Sequence, residues 1–467
     1  MKINLSPFVK EIIGKFLTNN QEIYIVGGAV RDLIMDKEIH DWDFTTNASP
    51  EIILSLFPDG FYDNSFGTVG IVNPTDEKNK KPGDKIPVYE ITTFRKEMGY
   101  TDGRHPDKVS WGKTLEEDLI RRDFTINAMA LNPTVDDKKN IIDFELIDPH
   151  QGQKNIKNKL IRAVGNPQER FQEDALRMLR AVRIATQLNF SIENETFQAI
   201  KGNINLLDKI SGERVRDELL KLLACPFAAD GYLILRNSGL AEKILPEVEK
   251  GFGIEQKSPG RHHILDVGNH LVQSLRASKS TDSIVNLAIL LHDVGKPAVA
   301  RVQKDGVITF YNHEVMGTSL TNNIAKRLKL SKHQSEKLTT LVRWHQFSVN
   351  EDQTDKAIRR FIKNVGKEYI EDMLQLRTAD RLGGGALETS WRMELFKKKI
   401  IEVQKEPFLI TDLKINGSEI MKTLKITPGL LIGELLKQMF EAVVDKKIKN
   451  EKSALLKYLG QISKDIK

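Results

Sequence analysis

Cysteine is nearly absent. The 467 residues hold one, Cys225, which excludes an intrachain disulfide and any cysteine-rich zinc site and fits a reducing compartment. Long apolar runs are missing too, since no stretch approaches the roughly 20 apolar residues of a membrane span. The first residues, MKINLSPFVKEIIGKF, are amphipathic and mixed in charge, without the apolar segment of a signal peptide. The expectation is a cytoplasmic chain with no membrane partner. No internal repeat is visible. Acidic residues do not balance the basic ones, and the net charge of +6 is a mild bias toward a polyanionic partner. With 40% hydrophobic and 29% charged residues the composition is that of ordinary globular protein. The length exceeds what one core can grow to, so about two to four domains are expected.

What is present concentrates first in YIVGGAVRDLIMDKEIHDWDFTT, residues 24–46. It reads as a short apolar strand, a Gly-Gly turn, a helix and a second strand carrying Asp41-Trp42-Asp43. Residues i and i+2 of a strand share a face. Asp41 and Asp43 therefore aim two carboxylates at one spot, which is unfavourable unless a cation sits between them. Oxygen-only ligands suit Mg²⁺. The Gly27-Gly28 turn opens onto a helix N-terminus, a place that favours phosphate. A D-x-D pair alone reads as easily as a solvated strand edge. In strand–turn–helix–strand order it suggests metal-dependent nucleotidyl transfer. Trp42, on the opposite strand face, is assigned to the core.

The first ~145 residues alternate strand and helix. Residues 1–20 form an amphipathic helix with Phe8, Ile12, Ile13 and Phe16 on one side, and Ser49-Pro50-Glu51 starts another. GTVGIVN (67–73) and PVYEITTF (87–94) read as strands joined by a polar hairpin connection. Antiparallel pairing is expected, and if the second strand lies near Asp41 and Asp43, Glu90 becomes a third carboxylate; a salt bridge or a strand-edge residue is the equal alternative. A long polar stretch, RKEMGYTDGRHPDKVSWGK (95–113), reads as a functional loop. Thr114 to Glu117 is a capping box opening a helix that carries Arg121-Arg122-Asp123. Such arginines are either solvated or clamps for a triphosphate.

Residues 168–190, QERFQEDALRMLRAVRIATQLNF, read as one helix whose stripe is Phe171, Ala175, Met178, Val182 and Ala185. Asp174 and Arg177 stand three residues apart, and Arg180 and Arg183 continue the row with a drift of roughly 60° per step. The plain reading is a surface ion pair. The sharper one is base recognition. Cytosine and adenine each present an amino donor beside a ring-nitrogen acceptor, whereas Asp only accepts and Arg only donates. An Asp–Arg pair thus fits C and A and meets a carbonyl in U and G.

GGAVRD, the D-W-D pair, the 95–113 loop, RRDFTINAMA (121–130), EDALR (173–177) and SGERVRDELLKLL (211–223) together resemble the class II tRNA nucleotidyltransferases and their bacterial poly(A) polymerase relatives, over about residues 20–250. The resemblance implies an α+β protein: a polymerase-type antiparallel-sheet head, an all-α neck, a body and a helical tail. It implies Mg²⁺ on Asp41 and Asp43, nucleotide contacts from Gly28, Arg31 and Arg122, base reading by Asp174 and Arg177, and triphosphate contacts from Arg180 and Arg183. The implied reaction is attack of a tRNA 3′-hydroxyl on the α-phosphorus of CTP or ATP. Arg95, Glu97, Tyr100, Asp102, Arg104 and Pro106 keep a pattern similar to full CCA-adding enzymes. The alternative is a poly(A) polymerase or a partial CC- or A-adding enzyme on the same scaffold. A third reading is a phosphohydrolase whose head only binds RNA, against which the intact carboxylates argue.

A second constellation follows: His270, His292-Asp293, His313, His345 and Asp380. Its order resembles the HD phosphohydrolase superfamily over about 262–385. The resemblance implies a divalent metal at His270, His292, Asp293 and Asp380, with His313 and His345 as further ligands or phosphate contacts. Imidazole and carboxylate suit Mn, Fe, Ni, Co or Zn. Phosphatase or 2′,3′-cyclic phosphodiesterase activity is the expectation. A short hairpin is read in 302–314. The lysine-rich tail is either solvated or a contact to tRNA backbone. The expected division is a head at 1–147, a neck at 148–255, an HD domain at 256–385 and a tail at 386–467.

Overall fold

A computed structural model of the chain describes residues 3, 5–39, 41–63, 67–79, 86–98, 108–112, 114–137, 140–256, 265–404, 410–445 and 447–463. The fold is α+β. Its strands are β1 (Ile23–Val26), β2 (Trp42–Thr46), β3 (Phe61–Asp63), β4 (Thr68–Val72), β5 (Val88–Thr93), β6 (Arg95–Met98), β7 (Lys108–Trp111), β8 (Ala130–Val135) and β9 (Ile141–Ile147), followed by pairs of two-residue strands. Seven of these form one sheet in the order β3-β4-β5-β2-β1-β8-β9.

The helix Pro7–Thr18 shows how local chemistry builds this layer. Ser6 accepts from the Val9 N–H, Pro7 takes the first turn, and Phe8, Ile12, Ile13 and Phe16 are buried. Their spacing makes one apolar face, which joins Ile23, Ile25 and Phe44 of the sheet in a common core. Trp42 packs against that core and stacks on Phe44. Ser49 caps the helix Pro50–Leu56 by accepting from the Ile52 N–H.

One pairing departs from the antiparallel expectation. β2 and β5 run parallel, with Asp43 opposite Glu90. A parallel pair needs a long crossover, and here residues 47–87 supply it, carrying two helices, β3 and β4. β4 and β5 pair antiparallel, as the hairpin reading expects, and their connection begins with the helix Pro74–Asn79. The stretch read as a loop at 95–113 starts and ends in an antiparallel pair, Arg95 opposite Trp111. Its polar sequence carries no apolar alternation to announce the strands. Arg95 and Glu97 lie on β6, while Tyr100, Asp102, Arg104 and Pro106 fall outside the described residues.

Two helical expectations are corrected. The helix Leu115–Ile120 ends before Arg121, which is its C-cap, so Arg122 and Asp123 follow the helix. Residues 168–190 form two helices, Pro167–Glu173 and Leu176–Leu188, broken at Asp174, whose backbone is extended (φ −143°, ψ 105°). The Asp174 carboxylate accepts from the Leu176 N–H at 3.0 Å. That local bond is the kind by which Asp competes with a continuous helix.

Beyond residue 150 the chain is almost all helix. The hydrophobic core of the sheet continues through Phe171, Val182, Leu222, Tyr232, Leu271 and Leu290 to Val403, whereas Leu413 to Leu459 form a separate cluster. No helix among the described residues is long and apolar enough to cross a membrane. The short hairpin expected in 302–314 is present, pairing Arg301–Val302 with Ile308–Thr309.

Candidate active site and a second polar centre

A cavity of about 600 Å³ opens where β2, β5 and the Gly27–Gly28 turn face the break between the helices Pro167–Glu173 and Leu176–Leu188. Asp43, Glu90, Gly28, Arg122, Asp174, Arg177 and Arg180 line it, together with Arg95, Arg121, Asp123, Asn127 and Arg214. Asp43 is central to one wall. Burial pushes its carboxyl up to about 6, the Arg122 cation opposes, and the neighbouring Glu90 and Asp41 carboxylates raise it again. Asp41 is exposed, in the bend just before β2. Asp43 and Glu90 line the cavity, whereas Asp41 does not, although its charge acts on Asp43. Among the described residues the three carboxylates do not close to within metal-binding distance of one another. Oxygen donors of this kind suit a hard cation such as Mg²⁺.

Gly27 makes this wall compact. Its φ is +72°, and a Cβ there would lie 2.9 Å from Asp43 Oδ2 and 3.1 Å from Arg122 Nη1. Only glycine takes that conformation without strain and leaves that space. The helix after it, Gly28–Ile34, has only seven residues. Arg31 does not reach the cavity directly. Its buried guanidinium donates to Asn127 Oδ1 at 2.9 Å and forks onto Asp32. Asn127 in turn donates to Asp123, at 3.3 Å, so Arg31 supports the lining from behind.

Arg121 and Arg122 share the fully buried Asp118, at 2.5 and 3.1 Å. Burial would raise the Asp118 carboxyl, but the two guanidinium groups hold it below its ordinary value. Arg122 Nε is buried without a hydrogen-bond partner among the described residues. An unsatisfied charged donor in a cavity is a natural partner for a ligand anion.

Asp174 and Arg177 both line the cavity, yet they do not pair with each other. Arg214 forks onto Asp174, Nη2 to Oδ2 at 2.8 Å and Nη1 to Oδ1 at 3.3 Å. Arg177 donates to Glu173 Oε2 at 2.6 Å and to the carbonyls of Arg121 and Arg170. The helix break explains this, because it takes Asp174 out of the register in which an i, i+3 pair would meet. Arg183 is turned away from the cavity and donates to Glu218 at 2.6 Å. The 60° drift per three residues accumulates between Arg177 and Arg183 and carries the side chain onto the helix Gly212–Leu223. Sequence reading missed Arg214. Its one signal was the SGERVRDELLKLL motif, in which Arg214 and Glu218 stand at i, i+4 and so share a helix face.

Arg180 meets Asp123 at 2.6 Å. Burial would raise the Asp123 carboxyl, but Arg180 and the Phe124 N–H bring it down to about 2. A folded value below the unfolded one of about 4 means stability that is complete above pH ~4 and is lost as pH falls toward ~2. Asp123→Asn should therefore lower stability at pH 7 by about 2 kcal/mol. That is less than for a fully buried pair, because Arg180 keeps some contact with solvent. Thermal unfolding followed at pH 7, pH 3 and pH 2 checks this: the gap between wild type and variant should narrow by roughly half at pH 3 and further at pH 2.

The second constellation closes around a larger cavity, about 1210 Å³. His270 comes from the helix Val267–Arg276, His292-Asp293 from the end of Ser283–Leu291, His313 from the start of His313–Arg327, His345 from the end of Lys332–Trp344, and Asp380 from Ile370–Gly383. Gly295 permits the approach, since a Cβ there would sit 2.1 Å from the His313 carbonyl oxygen. All six side chains meet. His270 Nε2 lies 3.3 Å from His292 Nε2 and 3.1 Å from Asp380 Oδ1. His313 Nε2 lies 3.2 Å from both His345 Nε2 and Asp293 Oδ1. Two triads result, His270–His292–Asp293 and Asp293–His313–His345, sharing Asp293.

The rings are held in one sense. Nδ1 of His292, His313 and His345 each faces a carbonyl, of Ile289, Phe310 and Val342, at 2.8–2.9 Å. With Nδ1 donating there, Nε2 is the nitrogen turned inward, and on losing its proton it would present its lone pair to a metal. Burial would lower His292, but the Asp293 and Asp380 carboxylates hold it up at about 10. The site thus demands a cation, a proton if nothing else. Lys296 meets Asp293 Oδ2 at 2.5 Å, and Arg377 meets Asp380 Oδ2 at 3.0 Å.

Comparison with known proteins gives three family matches. Residues 23–162 match the Poly A polymerase head domain, 189–252 a family described as an RNA and SrmB binding site of polymerase A, and 314–459 the tRNA nucleotidyltransferase domain 2. Limosilactobacillus reuteri has a CCA-adding enzyme 33% identical over the full length of both chains. That of Lactobacillus helveticus is 31% identical over 94% of this chain and 93% of its own. The crystal structure of the Bacillus stearothermophilus CCA-adding enzyme in complex with CTP is similar with a TM-score of 0.68, at 27% identity and 99% coverage of each chain.

Proposed function

The chain belongs to the family of CCA-adding enzymes, and from that premise we propose that it adds the terminal CCA to tRNA from CTP and ATP, without a nucleic-acid template, releasing pyrophosphate. One observation carries the reading: Asp43 and Glu90 on one wall of a single cavity, Asp174 and Arg177 on another, and Arg122 and Arg180 lining the same space. The enzymes of this family are metal-dependent nucleotidyltransferases. Here Asp41, Asp43 and Glu90 are the residues that would hold Mg²⁺. Bound there, Mg²⁺ would acidify the attacking 3′-hydroxyl and neutralise the leaving pyrophosphate.

The chain's own groups do the rest. Arg122 and Arg180 balance triphosphate charge, and the Gly27–Gly28 turn leaves room for it. Asp174 accepts from the exocyclic amino group of C or A, and Arg177 donates to the adjacent ring nitrogen. Arg31 acts on the nucleotide through Asn127. A cytoplasmic location goes with this role, as does a division into head (1–147), neck (148–255), HD domain (256–385) and tail (386–467).

The test uses tRNA lacking one, two or all three terminal nucleotides, supplied with each of CTP, ATP, UTP and GTP. Ordered addition of C, C and A that then stops supports the proposal. Long A tails would replace it with poly(A) synthesis, and no incorporation at all would end it. Arg177→Ala should change which nucleotide is added, cutting the preference for CTP over UTP by at least about tenfold. An equal loss with every nucleotide would remove Arg177 from base reading.

The second centre is proposed as a divalent-metal site serving phosphomonoester or 2′,3′-cyclic phosphodiester hydrolysis. Its imidazole and carboxylate donors suit Mn, Fe, Ni, Co or Zn, and Lys296 and Arg377 lie at its edge for a phosphate. Protein free of bound metal, and inactive on such esters under every divalent ion, would remove this assignment.

A further inference from the structure

Asp174 is not held by its neighbours in sequence. Its backbone is extended between two helices, so the helix lattice does not set its side-chain direction. Three donors do: the Leu176 N–H and Arg214 Nη1 on Oδ1, and Arg214 Nη2 on Oδ2. Two of the three come from one residue forty positions later in the chain. Arg214 lies in the first turn of the helix Gly212–Leu223. One turn on, the same face presents Glu218 to Arg183 at 2.6 Å. This helix therefore grips the 174–183 segment twice. Arg216 points elsewhere, to the Lys329 carbonyl at 2.7 Å.

We propose that Arg214 is the positioning residue for nucleotide choice: its fork holds the Asp174 carboxylate at the angle at which it accepts the amino group of C or A. The inference rests on the reading of Asp174 as the base-reading acceptor. A carboxylate has roughly four lone-pair sites. Arg214 takes one on each oxygen and Leu176 a second on Oδ1. Oδ2 is left with acceptor capacity, on a residue that lines the cavity. A guanidinium fork fixes the plane of a carboxylate in a way a single ammonium does not. Without the fork, the Leu176 N–H alone holds one oxygen. The carboxylate then rotates about χ2, and its penalty against the carbonyl of U or G weakens because it can turn away.

The experiment is steady-state addition of CTP, ATP, UTP and GTP to tRNA lacking its terminal nucleotides, by full-length wild type, Arg214→Lys, Arg214→Gln and Arg216→Gln. Arg214→Gln should lower the ratio of kcat/KM for CTP and ATP over that for UTP and GTP by at least about tenfold, with KM for CTP and ATP rising more than kcat falls. Arg214→Lys, which keeps the charge but not the fork, should lose part of that ratio. Arg216→Gln should match wild type. Unchanged ratios in both Arg214 variants overturn the proposal. So does a uniform loss for all four nucleotides accompanied by a lower Tm, which is the mark of a structural role. If Arg214→Gln does not fold, Arg214→Lys decides alone, because its ratio must still fall. A wild-type protein that adds neither C nor A would instead refute the proposed function, and that result is read before any variant is compared.

Discussion

Asp43→Ala is expected to abolish nucleotide addition, for CTP and ATP alike and at every step of the tRNA end. The reason lies in register. β2 and β5 pair in parallel with Asp43 opposite Glu90, and Asp41 precedes the same strand. Asp43 is the desolvated member of the three, raised to about 6 by burial and by its two acidic neighbours. Removing it leaves Glu90 on the cavity wall without its partner from β2. A metal at such a centre is worth several kcal/mol of transition-state stabilisation, so the loss should be roughly a thousandfold or more. tRNA binding should be nearly unchanged, because it draws on backbone contacts spread over a larger surface. Single-turnover incorporation, with a filter-binding measurement beside it, makes the check. A loss below about tenfold would take Asp43 out of the chemistry. The contrast with Arg177→Ala is the diagnostic part: Asp43 should act on all nucleotides equally, and Arg177 on the choice among them. Identical uniform losses would deny that division of labour.

Asp43 was legible because strand periodicity is short-ranged. Asp43 lies on β2 and lines the cavity, but Asp41 falls in the bend before the strand and outside the lining, so the shared face that an i, i+2 pair implies holds only if the strand reaches both residues. Glu90 was legible only conditionally, since its approach depends on a parallel pairing across a crossover of some forty residues, which no local pattern announces. The break at Asp174 was hidden for a different reason. Phe171, Ala175, Met178 and Val182 are all buried on both sides of it, so the apolar stripe of one long helix and of two short ones reads the same. With the break unseen, Asp174 and Arg177 looked like partners, and Arg214 had no evident task. Arg31 and Arg183 illustrate a third limit. A motif can name an arginine without telling whether it faces the ligand or, as here, Asn127 and Glu218. The pairing of β6 with β7 was invisible because its residues are polar and lack alternation.

The two centres also differ in what a single residue carries. In the first cavity the carboxylates lie on two strands and the base-facing groups on the segment across from them, so lesions separate by function. In the second, one carboxylate stands between two triads. Asp293 Oδ2 lies 3.3 Å from His292 Nε2 and Oδ1 lies 3.2 Å from His313 Nε2, so each triad uses a different oxygen of the one carboxylate. Asp293→Ala should therefore empty the whole centre, whereas His313→Ala or His345→Ala should empty one half of it. Metal analysis of dialysed protein is the direct readout: wild type loaded with Mn²⁺ or Ni²⁺ should hold two ions per chain, the histidine variants one, and Asp293→Ala none. Loading should release protons, because the Asp293 and Asp380 carboxylates favour a charged His292 in the metal-free site and a metal ligand must be neutral. By the same sign, occupancy falls as pH is lowered, since each proton on an imidazole competes with an ion. Addition of C and A should persist in Asp293→Ala, because the first cavity contains none of these residues. One ion per chain in wild type, unchanged in His313→Ala, would reduce the centre to the four residues His270, His292, Asp293 and Asp380. Two ions retained in Asp293→Ala would show that Asp293 bridges nothing.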